Sequence, residues 1–182
     1  KAAIHRAQQM VELFEDKNKG GYFMTAFDGE QLIARPKETY DGAIPSGNSV
    51  AAIVLQTLAS LTGEPEWQAA ADRQLSFLAG EIGEYPSASC FGVLAMMDAL
   101  YPHRELVCAT SDGLPNELKN YLKSHSADDL QVLLKTKDNA ETLAQCAPFT
   151  KDYPIPEQGT MYYLCEGGAC KAPVSEFSKL KI

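Results

Sequence analysis

Apolar positions recur at helical spacing through the first hundred residues. Ile4, Ala7, Val11 and Phe14 fall three or four apart, which lays them along one face of a helix, and Gly20-Gly21 ends the pattern. Residues 21–27 and 31–34 flank Asp28-Gly29, a dipeptide suited to a tight turn because glycine accepts positive φ, and together they predict a short two-stranded hairpin. Ser46, Asn48 and Ser49 offer N-caps to a helix carrying Val50, Ile53, Val54, Leu58 and Leu61, with Gly63 as its left-handed stop. Pro65 suits the first turn of the next helix, whose apolar stripe is Trp67, Ala70, Ala71, Leu75, Leu78 and Ile82. These two helices are expected to pair antiparallel. A further helix starts near Ser87 or Ser89, turns Cys90, Val93, Leu94, Met97 and Leu100 inward, and stops at Pro102.

Beyond that proline the pattern changes. Residues 105–110, 130–135 and 160–165 are short runs rich in Val, Leu and Tyr, separated by helical stretches at 115–124 and 139–146. Alternation of this kind predicts a small βαβαβ unit, and right-handed crossovers would make its three strands parallel. The expected fold class is α+β, mainly α: stacked helical hairpins over residues 1–102, then a three-stranded parallel unit over 103–182.

Composition narrows the function classes. A chain of 182 residues can bury a core without disulfide staples, and 45% apolar with 22% charged residues argues against intrinsic disorder. Sixteen basic against 24 acidic residues give a net charge of −8, a poor match to a phosphate backbone or an anionic bilayer, so neither nucleic acid nor membrane is an expected partner. No apolar run approaches the roughly 18 residues of a membrane span. The chain opens on Lys1, directly into a helical pattern and without a signal-peptide core, which sets the expectation that upstream sequence has been removed. Its five cysteines are odd in number and partly embedded in apolar runs, which suits reduced thiols and a cytoplasmic setting.

The long polar segment Arg35-Pro36-Lys37-Glu38-Thr39-Tyr40-Asp41-Gly42-Ala43-Ile44-Pro45-Ser46-Gly47-Asn48-Ser49 resembles the signature of the spermatogenesis-associated protein 20 family of thioredoxin domain-containing proteins. Tyr163-Leu164-Cys165-Glu166-Gly167-Gly168-Ala169-Cys170-Lys171-Ala172-Pro173 is similar to that family's cysteine-bearing C-terminal segment, and Gly20-Gly21-Tyr22-Phe23 agrees as well. The tract Glu166-Gly167-Gly168-Ala169 departs from the family's pattern, which carries an aromatic residue here. The resemblance covers nearly all of this chain but only the last part of a family member. It implies an upstream thioredoxin-like domain as partner, and a central (α/α) toroid similar to six-hairpin glycosidases and sugar 2-epimerases, from which the helical hairpins would come. A toroid fragment would expose uncovered helical faces, so self-association through the helices at 50–61 and 67–82 is expected.

Within the polar segment, Arg35, Lys37, Glu38, Tyr40 and Asp41 bring two cations, two carboxylates and a phenol into seven residues. With the resemblance to sugar-processing folds, Asp41 and Glu38 become the acid/base candidates for a carbohydrate-like substrate, and Arg35, Tyr40 and Asn48 its positioning groups. The structural reading stands beside it: Arg35 pairs with Glu38, Asp41 caps the turn at Gly42, and Ser46 launches a helix. A non-catalytic interaction or regulatory domain, docking on the thioredoxin-like domain through the same motif, is the alternative function. Anion binding at the 46–49 helix start is outweighed by ordinary capping. Cys165 and Cys170 stand too far apart in sequence for a CxxC motif, and structural thiols, a reversible disulfide and half a metal site all stay open. His5, His103 and His125 are scattered singly, Trp67 and Met96-Met97 read as core, and Thr110-Ser111-Asp112-Gly113 reads as a strand-to-helix turn. No metal or cofactor is expected.

Overall fold

The computed structural model describes residues 1–30, 33–101, 103–125 and 130–182. The chain divides into two compact units, Lys1–Tyr101 and Pro102–Ile182. The first is built from α1 (Ala2–Phe14), α2 (Gly47–Thr62), α3 (Pro65–Ile82) and α4 (Cys90–Asp98). Ser46 caps α2 by accepting from the Ser49 N–H, and Gly63, at φ 67°, closes it with an N–H donated to the Ala59 carbonyl. α2 and α3 are the most extensively packed helices of this unit, and their interface buries Leu55, Leu58, Trp67, Ala70 and Ala71. A second cluster of Ala52, Phe77, Leu78, Ile82 and Ala95 joins α4 to them.

Two expectations are corrected in this unit. Residues 21–27 form no strand, and of the predicted partner segment Gln31 and Leu32 lie outside the described residues. Tyr22 instead makes an isolated antiparallel bridge with Glu15, and its N–H and C=O are both taken by the side-chain amide of Asn48, at 2.7 and 2.9 Å. The amide stands where a partner strand would have been. On α2 the buried face holds Ala51, Ala52, Leu55 and Ala59, while Val50 and Val54 are exposed. On α4 the inward face is Gly92 and Ala95, Leu94 and Met97 point outward, and Leu100, just past the helix end, is exposed. The reason is spacing: a Cβ at Gly92 would stand 2.7 Å from Ile82 Cδ1 and 3.0 Å from Ser49 Oγ, so α4 approaches its neighbours too closely for large side chains.

The second unit is a four-stranded sheet in the order β2-β1-β3-β4. Its elements run β1 (Arg104–Thr110), α5 (Asn116–Ser124), β2 (Leu130–Lys135), α6 (Ala140–Cys146), β3 (Thr160–Glu166) and β4 (Ala169–Cys170). All three predicted strands and both helices are present, and alternation sorts the side chains. Leu106, Cys108, Tyr162 and Leu164 face one core with Leu118 of α5, and Val107, Ala109 and Tyr163 face the other with Phe149 and Tyr153. The expected three-stranded parallel arrangement is corrected. β1 and β2 are parallel, but β3 runs antiparallel to β1, with Thr160 opposite Thr110 and Glu166 opposite Arg104. After α6 the chain passes through Pro148, Pro154 and Pro156 to Gly159 at φ 78° before β3 begins. Its carbonyl accepts from the Ser111 N–H at 3.1 Å, and its N–H donates to Asp112 Oδ2 at 2.9 Å. The chain thus enters β3 beside the end of β1, and only an antiparallel strand can follow.

Gly21 tests the close packing of the first unit. Its φ is 76°, and a Cβ there would sit 2.6 Å from the Phe77 ring. Gly21→Ala therefore meets both backbone strain and a clash, and chemical denaturation of the folded chain should show a loss of about 2–4 kcal/mol. An unchanged midpoint would mean that Phe77 yields without cost.

Candidate functional site

The motif of residues 35–49 is a strap that joins helix starts. Asp41 lies at its centre. Its Oδ1 accepts from the Ser46 N–H at 2.7 Å, and its Oδ2 accepts from Ser49 Oγ at 3.1 Å, Phe91 N at 2.8 Å and Gly92 N at 2.9 Å. Phe91 and Gly92 belong to the first turn of α4, where unpaired N–H groups and the helix dipole favour an anion. Ser89, the residue in the N-cap place of α4, makes no capping bond and donates its hydroxyl to the Thr39 carbonyl at 2.6 Å. Asp41 therefore caps α4 from fifty residues away and braces the start of α2 with the same carboxylate. Burial acts to raise its pKa, but the hydrogen bonds from Ser46, Gly92 and Ser49 outweigh it and hold the carboxyl below its ordinary value.

This geometry ties the carboxylate that the sequence offers as general acid or base to two helix starts. A carboxylate held below its ordinary pKa has no proton to give near neutrality, and three of the four hydrogen bonds it accepts fall on Oδ2. Asn48 is likewise spent. Buried in the first turn of α2, it holds Tyr22 at both backbone groups, donates to the Glu38 carbonyl at 2.8 Å, and accepts from Gln74. Arg35 donates to the Thr25 carbonyl at 2.6 Å and lies 4.1 Å over the Phe23 ring, rather than pairing with Glu38. Lys37 bridges Asp16 and the Gly20 carbonyl, and that hydrogen bond is the main reason the Asp16 carboxyl falls to about 2. Glu38 and Tyr40 are left on the surface. The motif is brought together in space, but as a joint whose polar groups mostly serve its own backbone.

A cleft of about 490 Å³ opens elsewhere in the same unit, between α1 and α3. Its walls carry Glu12, Glu15, Glu64 and Glu66 with Lys17, Arg73 and Gln8, and Trp67 lines it. Arg73 reaches Glu15 at 2.8 Å, and the Glu15 side chain is nearly buried. Trp67 is 5% exposed and its indole N–H, among the buried polar groups, has no hydrogen-bond partner; the Tyr22 hydroxyl in the same core cluster has none either. Burial, then the Glu15 charge, drives the Tyr22 phenol far above its usual pKa. Sequence reading assigned Trp67 to the core and missed the cleft. The available signal was the lone tryptophan set between Glu64, Glu66 and Arg73 at the start of α3.

In the second unit Cys165 and Cys170 form a disulfide across the β3–β4 hairpin, which replaces their reading as separate structural thiols. They are directly opposed in register, and their Cα atoms are 4.0 Å apart. Among the described residues no group of three His, Cys, Asp or Glu side chains is placed to hold a metal ion, and no helix is long and apolar enough to cross a membrane.

The two units define a class: a helical-hairpin unit with an acid-lined cleft, and a mixed four-stranded α/β unit closed by a hairpin disulfide. No family model matches the chain. It is similar to spermatogenesis-associated protein 20 of Rattus norvegicus, 28% identical over 174 residues, covering 93% of this chain and 22% of the relative. The same protein of Homo sapiens is 28% identical over 98% of this chain and 23% of its own length, and that of Mus musculus matches to the same extent. The chain thus spans less than a quarter of the length of the curated relatives it matches.

The brace role of Asp41 has a measurable consequence. Asp41→Ala strips the cap from α4 and the brace from the start of α2, and should lower stability at neutral pH by about 2–3 kcal/mol. Because folding lowers its pKa, the contribution of Asp41 is complete above the ordinary carboxylate value of about 4 and is lost as pH falls through its lower folded value. Urea unfolding of both proteins across the acid range should show the gap between them closing. A gap independent of pH would assign the loss to something other than the charge.

Proposed function

We propose that the helical unit is a binding module for a carbohydrate-like ligand, taken in the cleft between α1 and α3, and that the 35–49 strap is its brace. The observation that carries this reading is the chemistry of the lining. Glu12, Glu64 and Glu66 accept, Lys17 and Arg73 donate, and Trp67 lines the wall between them. The carboxylates outnumber the cations Lys17 and Arg73, which works against an anion, and the mixture of donors and acceptors along the wall works against a bare cation. A polyhydroxylated molecule both donates and accepts at closely spaced points and answers both demands. The resemblance to a family with a sugar-processing type of toroid supports the same ligand class. Turnover is not part of the proposal, because the Asp41 carboxylate is committed to its helices. Glu38 and Tyr40, exposed on the strap, are the members of the original site set still free to meet a substrate carried by the longer protein.

Trp67 is the chain's single tryptophan, so its fluorescence reports this cleft directly. Titration with a panel of neutral, acidic and amino sugars should give a saturable change with at least one member. Glu66→Gln and Glu12→Gln should weaken that binding about tenfold each while leaving the circular dichroism unchanged. A panel that leaves the emission unaltered, or variants that bind as well as the parent, would remove the proposal.

A second reading draws on the surface around the strap. Tyr40, Ile44 and Tyr85 are 62%, 78% and 72% exposed, and the Asp41 N–H donates to the carbonyl of Ala88, three residues beyond Tyr85. Apolar rings of this kind beside a rigid joint suit docking to another domain, with the upstream thioredoxin-like domain the proposed partner. Cross-linking in the full-length protein should then join residues 38–44 to that domain. Cross-links confined to other surfaces would count against docking.

A further inference from the structure

The disulfide sits at the edge of the sheet with its two sulfurs in unlike surroundings. Cys165 is on β3 and 3% exposed, whereas Cys170 is on the two-residue strand β4 and open to solvent. Gly167 and Gly168, at φ 55° and 80°, form the tight turn that sets the two strands in register. The Lys171 N–H donates to the Leu164 carbonyl at 2.8 Å, so the flanking pair is hydrogen-bonded and the cysteines take the adjoining position, where cross-strand side chains stand closest.

A phenol faces both sulfurs. Tyr153 Oη is 3.0 Å from Cys165 Sγ and 2.7 Å from Cys170 Sγ, and because bridged sulfurs carry no hydrogen, the phenol is the donor. Its ring is stacked on Tyr163 at 4.4 Å between centroids and 4° between planes. The loop that carries it is fixed by the buried Lys135, whose Nζ donates to the carbonyls of Thr150 and Tyr153 at 2.6 and 2.7 Å. Burial, reinforced by the charges of Glu105 and Asp152, raises the Tyr153 pKa, so the hydroxyl keeps its proton. A preorganised donor has thus been placed where charge would develop if the bridge opened.

We propose that Cys165 and Cys170 form a thiol–disulfide exchange site, with Cys170 the sulfur attacked and Tyr153 the donor to the leaving thiolate. A dithiol reductant supplies the electrons. Its thiolate attacks the exposed Cys170 Sγ and forms a mixed disulfide, the Cys165–Cys170 bond breaks, and its electron pair leaves on Cys165 Sγ, where the Tyr153 hydroxyl donates. The second thiol of the reductant, after loss of its proton, attacks its own mixed-disulfide sulfur and releases Cys170 as a thiolate. The net exchange moves two electrons and leaves the reductant as a disulfide and the protein as a dithiol. β4 is only two residues long, and the mutual hydrogen bonds of Tyr162 and Val174 hold the following segment to β3, so opening the bridge leaves the sheet in place. Cys108 lies buried in the core with its thiol pushed up to about 11, which keeps it out of the chemistry.

The folded chain held in glutathione buffers of graded reduced-to-oxidised ratio, then alkylated and read by mass spectrometry, tests the site. Cys165 and Cys170 should titrate together as one reversible two-electron couple, with Cys108 unlabelled and the exposed Cys90 as the reference. Cys165→Ser should accumulate a glutathione adduct on Cys170, while Cys170→Ser should form one on Cys165 at least about tenfold more slowly. Tyr153→Phe keeps the stacked ring and should slow reduction by dithiothreitol about tenfold, the worth of one hydrogen bond to a charged group. A bridge that opens only together with global unfolding, or single variants that trap glutathione at equal rates, would overturn the proposal.

Discussion

The helical unit depends on one carboxylate shared between two helix starts. A helix leaves its first N–H groups without internal partners, and the usual remedy is a side chain immediately before it. α4 lacks that remedy, because Ser89 is turned toward the Thr39 carbonyl. Asp41 supplies the acceptor instead, and the Asp41 N–H is held in turn by the Ala88 carbonyl at 2.8 Å. The exchange is reciprocal: the strap caps the helix, and the residues before the helix fix the strap. Once α4 is docked in this way, Gly92 and Ala95 permit the close approach that completes the core with Ala52, Leu78 and Ile82.

Asn48 performs the same service for the chain on the other side. A single amide can imitate a neighbouring strand by meeting one residue's N–H and C=O together, and here it does so for Tyr22 while Gln74 of α3 bonds Asn48 in turn. The second unit solves a comparable problem with a cation. Lys135 ends β2, and its ammonium gathers loop carbonyls that no strand could reach. Burial lowers its pKa, with the Asp152 charge working against that, so the group is kept for the carbonyls it organises despite the cost of desolvating it.

Much of this architecture was legible in the sequence, and what was not shares a cause. Helices α1 to α3 and strands β1 to β3 follow from period and punctuation, which are local properties. The direction of β3 is not local, since it depends on the route taken between Cys146 and Thr160. Leu94 and Met97 were read as inward-facing because they are large and apolar, yet the interface chose Gly92 and Ala95. Close helix packing rewards small side chains, and hydrophobicity alone does not rank them first. The cleft lay beyond reach for a different reason. Glu12, Glu64, Glu66 and Arg73 share a wall only after α1 has folded beside α3.

The polar motif itself shows how density of functional groups and availability for function part company. Arg35, Lys37, Asp41 and Asn48 have the side chains of a catalytic site, and in the chain they stand close enough to suggest one. In the fold each has found a partner in this same chain: a carbonyl at Thr25, a carboxylate at Asp16, four donors around Asp41, and the backbone of Tyr22. A group whose hydrogen-bonding capacity is consumed internally can meet a ligand only by breaking what it already holds, which sets a free-energy cost against binding. Groups at the cleft carry no such commitment in the case of the Trp67 indole, which is buried with its donor unmet. An unmet donor is a standing cost to the folded chain. The proposal of a ligand beside α3 rests on the lining of the cleft rather than on the richness of the motif.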